Sequence, residues 1–261
     1  MEEEELRHAI LDEANKYFPF DNMEEVNFDF QVLGQNIHNP NLLDVVIVAA
    51  KKEFVEGYVE AVSLAGLKPL IMDVDSFALE TMYERNYSYD EPDIAVLINI
   101  GASTTNINVV KNAISVFTRD FALGGNAVTE AIQAHHGLSF EEAEKLKISG
   151  PAAASQRGEF EEELLSYADP IVLEIERSID YFRSTYEGNE EIKEIILSGG
   201  SALLPRLAQE VSDRLRLPVS LADPFRHIGL SRKLPNGEGL RSIAPRLAVV
   251  TGLALRRVGD K

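Results

Sequence analysis

Apolar positions recur along this chain with two different periods, and the switches between them mark its elements. Leu6, Ile10, Ala14 and Tyr17 are spaced four, four and three apart, which stacks them on one face of a helix over 2–18 that Pro19 ends. Val26, Phe28, Phe30 and Val32 alternate with Asn27, Asp29 and Gln31, as a strand with one covered face requires. Asn39-Pro40-Asn41 marks a turn. Residues 44–50 then run apolar without alternation, which predicts a central strand covered on both faces. Phe54, Tyr58, Val62 and Ala65 fall on one stripe of a helix over 52–65, with Gly66 placed to cap it. Leu70-Ile71-Met72 reads as a short strand, and 75–85 as a helix with Asp75 or Ser76 near its N-cap.

A polar stretch from Tyr87 to Pro92 separates this first part from the rest. Residues 94–98, 105–109 and 114–121 then read as three consecutive strands with a glycine at the first corner. Gly124-Gly125 opens a helix that runs to about His135. Ser139 and Glu142 have the spacing of a capping box for a second helix. A loop over 150–158 precedes a long helix over 162–187, with Leu165, Ile171, Ile175, Ile179 and Phe182 inside. Residues 192–197 form a buried strand that breaks at Ser198-Gly199-Gly200-Ser201. A helix over 203–216, a short strand at Val219, an irregular stretch over 223–243 and a helix over 245–257 complete the pattern.

Composition narrows the function. The 261 residues carry 25 Lys and Arg against 43 Asp and Glu, a net charge of −18, which argues against a general nucleic-acid binder and against adsorption to anionic lipid. The chain has no cysteine, so disulfides, thiolate nucleophiles and Cys-ligated zinc are excluded. No apolar run approaches the length of a spanning helix, which predicts a cytoplasmic protein with no direct membrane insertion. His135 and His136 are adjacent. That spacing predicts rings pointing apart rather than the i,i+4 pair of a zinc site. His8, His38 and His227 read as surface residues, and the glutamate runs 2–5 and 159–163 as solvated faces.

Two glycine corners carry the candidate chemistry. Each follows an apolar strand: Asn99-Ile100-Gly101-Ala102-Ser103-Thr104-Thr105 and Ser198-Gly199-Gly200-Ser201. Glycine lets backbone N–H groups approach a ligand closely, and consecutive N–H groups with hydroxyls make an anion nest. Alone, either corner equally describes a tight turn, because neither matches a Walker A loop or the dinucleotide fingerprint.

The order of the pieces is more specific. The strand–glycine–hairpin, the Gly124-Gly125 helix start, the acidic helix, the strand ending in Ser198-Gly199-Gly200-Ser201 and the small-residue C-terminal helix resemble the second half of the actin/Hsp70/FtsA nucleotide clamp. Within that superfamily the chain resembles the PilM family of type IV pilus assembly. The likeness rests on Ala14-Asn15-Lys16-Tyr17-Phe18-Pro19-Phe20, Asp73-Val74-Asp75-Ser76-Phe77-Ala78-Leu79, Phe121-Ala122-Leu123-Gly124-Gly125, Glu142-Ala143-Glu144-Lys145-Leu146-Lys147, Ala222-Asp223-Pro224-Phe225 and Gly252-Leu253-Ala254-Leu255-Arg256 as well as the two corners. It implies an α/β, actin-like (ribonuclease H-like) ATPase fold with an inserted α+β subdomain over 1–71. A connecting helix over 72–91 and a second domain over 92–243 follow, with a helical part about 137–190, and a C-terminal helix over 244–261 returns to the first domain.

The resemblance also implies roles. Gly101, Ala102, Ser103 and Thr104 would hold the β- and γ-phosphates of ATP, with Gly124 and Gly125 lining the phosphate side. Glu144 and Lys147 would reach the ribose, although they equally read as an i,i+3 surface pair. Gly199, Gly200 and Ser201 would face the adenine. Asp75 takes the place where related ATPases orient water or Mg²⁺, and equally reads as a helix cap. Asn99 stands where the family usually has Asp, to organise Mg²⁺ through water. The family begins with a first phosphate hairpin, whereas this chain starts inside the following subdomain. The expectation is a fold incomplete at its N-terminus, with weak or absent ATP binding and an exposed sheet edge. PilM-like proteins bind the cytoplasmic N-terminal tail of the inner-membrane protein PilN and so connect to other pilus inner-membrane and motor components. The strand 26–32 and the helix 52–65 are the candidate groove wall. An active ATPase or small-molecule kinase, and an FtsA-type division protein, are the alternatives.

Overall fold

The computed structural model describes residues 3–14, 23–36, 39–87, 94–112, 114–188, 190–231 and 237–259. Tyr17, Pro19, His38 and the stretch 88–92 lie outside the described residues. The chain divides into two compact units, one of residues 1–72 with 257–261, the other of residues 73–256.

The first unit contains α1 (Glu3–Ala14), β1 (Val26–Gln35), β2 (Leu43–Lys51) and α2 (Lys52–Leu64). β1 and β2 pair antiparallel, with Phe28 opposite Ala49 and Phe30 opposite Ile47. The alternation in β1 holds as far as Gln31: Val26 is buried and Phe28 and Phe30 half-buried, while Asn27, Asp29 and Gln31 are exposed; Val32, expected on the covered face, is exposed. β2 departs from expectation. Val45 to Ala50 are half-buried in a two-stranded sheet rather than covered on both faces. Residues 70–72 form no strand, because no neighbouring strand pairs with them among the described residues. α2 ends in a Schellman motif, with Gly66 N donating to Ser63 O at 2.9 Å and Leu67 N to Val62 O at 3.2 Å. Gly66 has φ +77°, the left-handed conformation that only glycine adopts without cost.

The second unit is built on one sheet. β3 (Ile94–Ile100), β4 (Thr105–Lys111) and β5 (Ile114–Phe121) form the expected antiparallel meander, and β6 (Ile192–Ser198) and β7 (Val219–Leu221) extend it in parallel on the other side of β3. The strand order is β5-β4-β3-β6-β7. β3 is buried along both faces, as its unbroken apolar run requires. Ile94, Val96, Ile98 and Ile100 point into one core with Ile107 and Val109 of β4. That core is roofed by α4 (Gly125–His136), α5 (Phe140–Ser149), α6 (Arg157–Thr185) and α7 (Leu207–Leu215). Ala95 and Leu97 point to the opposite face with Ile196. There α3 (Asp75–Asn86) and α9 (Ala248–Leu255) bring Leu79, Met82, Tyr83 and Ala248; the short α8 (Gly237–Ser242) precedes α9.

The capping box at α5 forms as its spacing predicts. Ser139 N donates to Glu142 Oε2 at 2.9 Å and Glu142 N to Ser139 Oγ at 3.3 Å. Three boundaries differ from the sequence pattern. α6 begins at Arg157, inside the expected loop, and helix 203–216 is shortened to α7 behind a 3-10 turn at Ser201–Leu203. The last helix opens with a 3-10 turn over Ala244–Leu247, where Pro245 enters. Neither Asp75 nor Ser76 caps α3. The N-cap is Val74, with no side-chain hydrogen bond, and Asp75 is the first helical residue.

Candidate functional site

β3 and β6 lie parallel and adjacent, so their C-terminal ends open side by side, where a parallel sheet exposes its loops to ligands. Register pairs Asn99 with Ser198, and the two glycine bends therefore meet. A Cβ on Gly199, whose φ is +89°, would fall 2.3 Å from Ile100 O and 2.8 Å from Asn99 Oδ1. Ser201 Oγ donates to Gly101 O at 3.1 Å. Gly199 N is held by Pro245 O at 2.9 Å, and Gly200 is exposed with open space where a Cβ would stand.

The start of α4 packs onto the same corner. A Cβ on Gly124 would meet Gly101 O at 2.6 Å and Ala102 O at 2.8 Å, and one on Gly125 would meet Ser201 Oγ at 2.3 Å. Gly125 N donates to Gly101 O at 2.9 Å and Asn126 N to Ala102 O at 2.7 Å. Two of the helix's leading amides are thus spent on the loop itself. The loop closes through Gly101 N to Thr104 O at 3.0 Å, and Asn126 Nδ2 donates to Ser103 Oγ at 3.0 Å. Among the described residues, the N–H groups of Ala102, Ser103 and Thr104 donate to no backbone carbonyl, and all three residues are exposed. Such a run of outward amides is the donor set a phosphate needs.

Glu144 and Lys147 are neither a loose surface pair nor free. Lys147 Nζ lies 2.6 Å from Glu144 Oε2, 2.9 Å from Gly125 O and 2.7 Å from Thr129 Oγ1, and its side chain is only 9% exposed. The Thr129 hydroxyl lies 2.5 Å from Glu144 Oε2. Burial works to raise the Glu144 pKa, but the hydrogen bonds from Lys147 and Thr129 override it, and the carboxyl sits below its ordinary value. The trio ties α5 to the first turn of α4 and holds Gly125 against the loop. Thr129 was missing from the sequence reading; its one local signal is its place four residues after Gly125, one turn along α4.

Asn99 joins a polar ladder across three strands. Its Nδ2 donates to Asn106 Oδ1 at 3.1 Å, and Asn106 Nδ2 to Asp120 Oδ1 at 2.9 Å. Asp75 faces the end of this ladder. Asp75 is exposed, yet partial desolvation of its carboxyl, followed by the charges of Asp120 and Asp73, pushes its pKa above the usual aspartate value. Asp73 is held by Arg256, with Nε–Oδ2 2.6 Å and Nη2–Oδ1 3.2 Å. Carboxylates and amides on one side and outward amides on the other suit a nucleotide phosphate with a hard divalent cation.

Outside this corner, the expectation that His135 and His136 point apart is overturned. Their rings lie 5.0 Å apart and both Nε2 atoms approach Glu163 Oε1. The pair closes α4 beside Gly137, and both imidazoles lean onto α6. His8 and His227 are exposed as expected.

A five-stranded mixed sheet with glycine bends at adjoining strand ends and helices on both faces is the fold of actin-like ATPases. The chain is similar to MreB5 of Spiroplasma citri bound to AMPPNP at 15% identity, with TM-score 0.53, covering 79% of this chain and 64% of that one. It is similar to the ethanolamine utilization protein EutJ of Carboxydothermus hydrogenoformans at 21% identity, with TM-score 0.52, covering 75% and 59%. A PilM-PilN type IV pilus biogenesis complex superposes at TM-score 0.80 and 27% identity, over 100% of this chain and 74% of that one. The family model described as "Type IV pilus assembly protein PilM" matches residues 1–258, and the chain belongs to that family. The cell division protein FtsA of Bacillus subtilis (strain 168) is 25% identical over 274 residues, which take in 97% of this chain and 59% of FtsA, so the chain spans less than two thirds of that relative. No helix among the described residues is long and apolar enough to cross a membrane.

Proposed function

We propose that this chain is an actin-like scaffold of type IV pilus assembly that docks the cytoplasmic N-terminal tail of PilN on its first unit. In this reading it stands on the cytoplasmic side, peripheral to the inner membrane through that partner. The observation that carries the reading is the outward face of α2. An amphipathic helix turns its apolar stripe inward, yet Phe54 is 64% and Tyr58 56% exposed, and no residue of α2 is buried. The two rings pack edge to face at 5.1 Å and, with Lys51, Glu53, Gly57 and Ala61, line an open hollow of about 560 Å³. Rigid aromatic anchors beside small residues are what an apolar peptide side chain needs to seat.

β1 and β2 pair only with each other among the described residues, so an extended tail can add backbone hydrogen bonds along a strand edge. Residues 1–72 carry 14 acidic against five basic side chains, which favours a basic, apolar tail. The likeness to a PilM-PilN complex supports PilN as the source of that tail. The match to the pilus family over 1–258 favours this reading over an FtsA-type division protein.

The second unit supplies the nucleotide part of the proposal. The amides of Ala102, Ser103 and Thr104 would take the phosphates, Asp75 and Asn99 would orient the water shell of Mg²⁺, and Gly199, Gly200 and Ser201 would lie along the base. Lys147 holds Gly125 O, Glu144 holds Lys147, and in this reading the pair would reach the ribose.

Fluorescence anisotropy with a labelled peptide carrying the cytoplasmic N-terminal residues of PilN from the same organism tests the scaffold. Saturable binding is expected, and Phe54→Ser and Tyr58→Ser each weaken it by about tenfold, the loss that follows truncation of an aromatic anchor, with the circular dichroism of the chain unchanged. No binding, or binding that ignores both substitutions, overturns the proposal.

A further inference from the structure

We propose that His135, His136 and Glu163 form a binding site for a divalent first-row transition ion, with Zn²⁺ as its best occupant. The three residues come from two helices, α4 and α6, and the ligand atoms they offer all lie within 4.8 Å of one another. His136 Nε2 stands 2.9 Å and His135 Nε2 3.6 Å from Glu163 Oε1. The longer distance exceeds a hydrogen bond. It fits two donors sharing one ion: bonds of about 2.0–2.1 Å at tetrahedral angles place ligand atoms roughly 3.3–3.4 Å apart, and the two observed distances bracket that value.

The donor types agree. Two imidazoles and a carboxylate suit zinc, nickel or copper and do not suit magnesium or calcium, which take all-oxygen shells. The fourth position falls to water, because the two histidines leave the site open to solvent, with 65% of the His135 and 34% of the His136 side chain exposed.

The surroundings hold the ligands in place. Tyr167, one turn along α6, donates its hydroxyl to Glu163 Oε1 at 2.5 Å, the outer-shell hydrogen bond that orients a metal-binding carboxylate. The His135 ring lies 6.2 Å from Tyr167 and the His136 ring 6.4 Å from Phe160, which limits both imidazoles to few rotamers. Gly137, with φ +68°, caps α4 directly after the pair, so both histidines sit on a fixed last turn. A chain with net charge −18 adds a field that favours a cation. An ion there would clamp the C-terminal end of α4, whose first residue is Gly125, to α6.

Calorimetric titration of ZnCl₂ into the metal-free full chain, in a buffer that does not chelate, tests the site. One equivalent per chain is expected, with a melting temperature that rises as Zn²⁺ is added. The double substitution His135→Gln with His136→Gln abolishes the equivalent, Glu163→Gln weakens it at least about tenfold, and Tyr167→Phe weakens it by about tenfold, the usual loss for an outer-shell partner. Co²⁺ in the same site gives a visible d–d band that the double-histidine variant lacks. If a substituted chain folds poorly, the wild-type Co²⁺ band and the zinc-dependent melting shift still decide. An absent band and no shift, or an equivalent that survives in the double-histidine variant, overturns the proposal.

Discussion

Glu80, a half-buried carboxyl, is expected to make the stability of this fold depend on pH. It sits on α3 against β5, where the Ser115 hydroxyl hydrogen-bonds its carboxylate. Burial raises its pKa above the ordinary 4.5 more than the hydrogen bonds of Ser115 and Asn108 and the charge of Arg256 lower it. Between 4.5 and the raised value the folded chain holds a proton that the unfolded chain has released. Its stabilising contribution is therefore complete below 4.5 and is lost as the pH rises through the folded pKa. Gln keeps the acceptor for Ser115 and removes the titration. Glu80→Gln is expected to unfold at higher urea than the wild type at about pH 7.5, with the gap closing by about pH 4. Parallel urea curves at every pH would contradict the argument. Nothing in the sequence marks Glu80, because its burial comes from the β5 strand 35 residues away. The glycines at 101 and 199 were legible for the opposite reason: a glycine closing an apolar strand signals close backbone approach, and a Cβ on either would meet backbone; those at 124 and 125 were marked by opening a helix and by the family resemblance.

At the scale of elements, α3 and α9 pack with backbone in contact at Gly252. A Cβ on Gly252 would fall 1.7 Å from Ala78 O, so the two helices touch backbone to backbone and neither can give by rotating a side chain. Gly252→Ala is expected to destabilise the chain by about 1–3 kcal/mol, the range for forcing a methyl into a packed contact. Leu253→Ala, at a position 41% exposed on the same helix, serves as the mild control, and a Gly252→Ala loss no larger than that control would disprove the account. The same helices explain what periodicity could and could not reveal. β3 was readable because both its faces are covered within the sheet's own unit. β2 misled, because an apolar run reports that a surface is to be covered without saying by what. A face kept for a partner carries the same signature as a core. Residues 70–72 are apolar enough for a strand but have no strand beside them, and pairing is what makes one. His135 and His136 misled for a related reason, since helical spacing fixes where the Cβ bonds start and α6 decides where the rings end.

Across the whole molecule, burial is distributed unevenly. The second unit has a sheet with two covered faces and a long roll of fully buried side chains, whereas Ile10 and Val26 are the buried apolar residues among the described part of 3–72. Local opening follows buried contacts, so hydrogen exchange of the free chain is expected to be slowest in β3, β4 and β6 and fastest in β1, β2 and α2. Each ligand should then protect where its site lies. The PilN-tail peptide is expected to slow exchange in β1, β2 and α2, where little else restrains the backbone and the gain is therefore largest. Mg-ATP is expected to slow the amides of 102–104, whose exposed N–H groups would turn to the phosphates. It should scarcely alter those of Gly125 and Asn126, which are already bonded to the loop. Peptide protection confined to residues 73–256 would move the docking surface off α2. Mg-ATP protection that skips 102–104 would remove those amides from the phosphate site while leaving the peptide surface intact, so phosphate binding and peptide docking can fail separately.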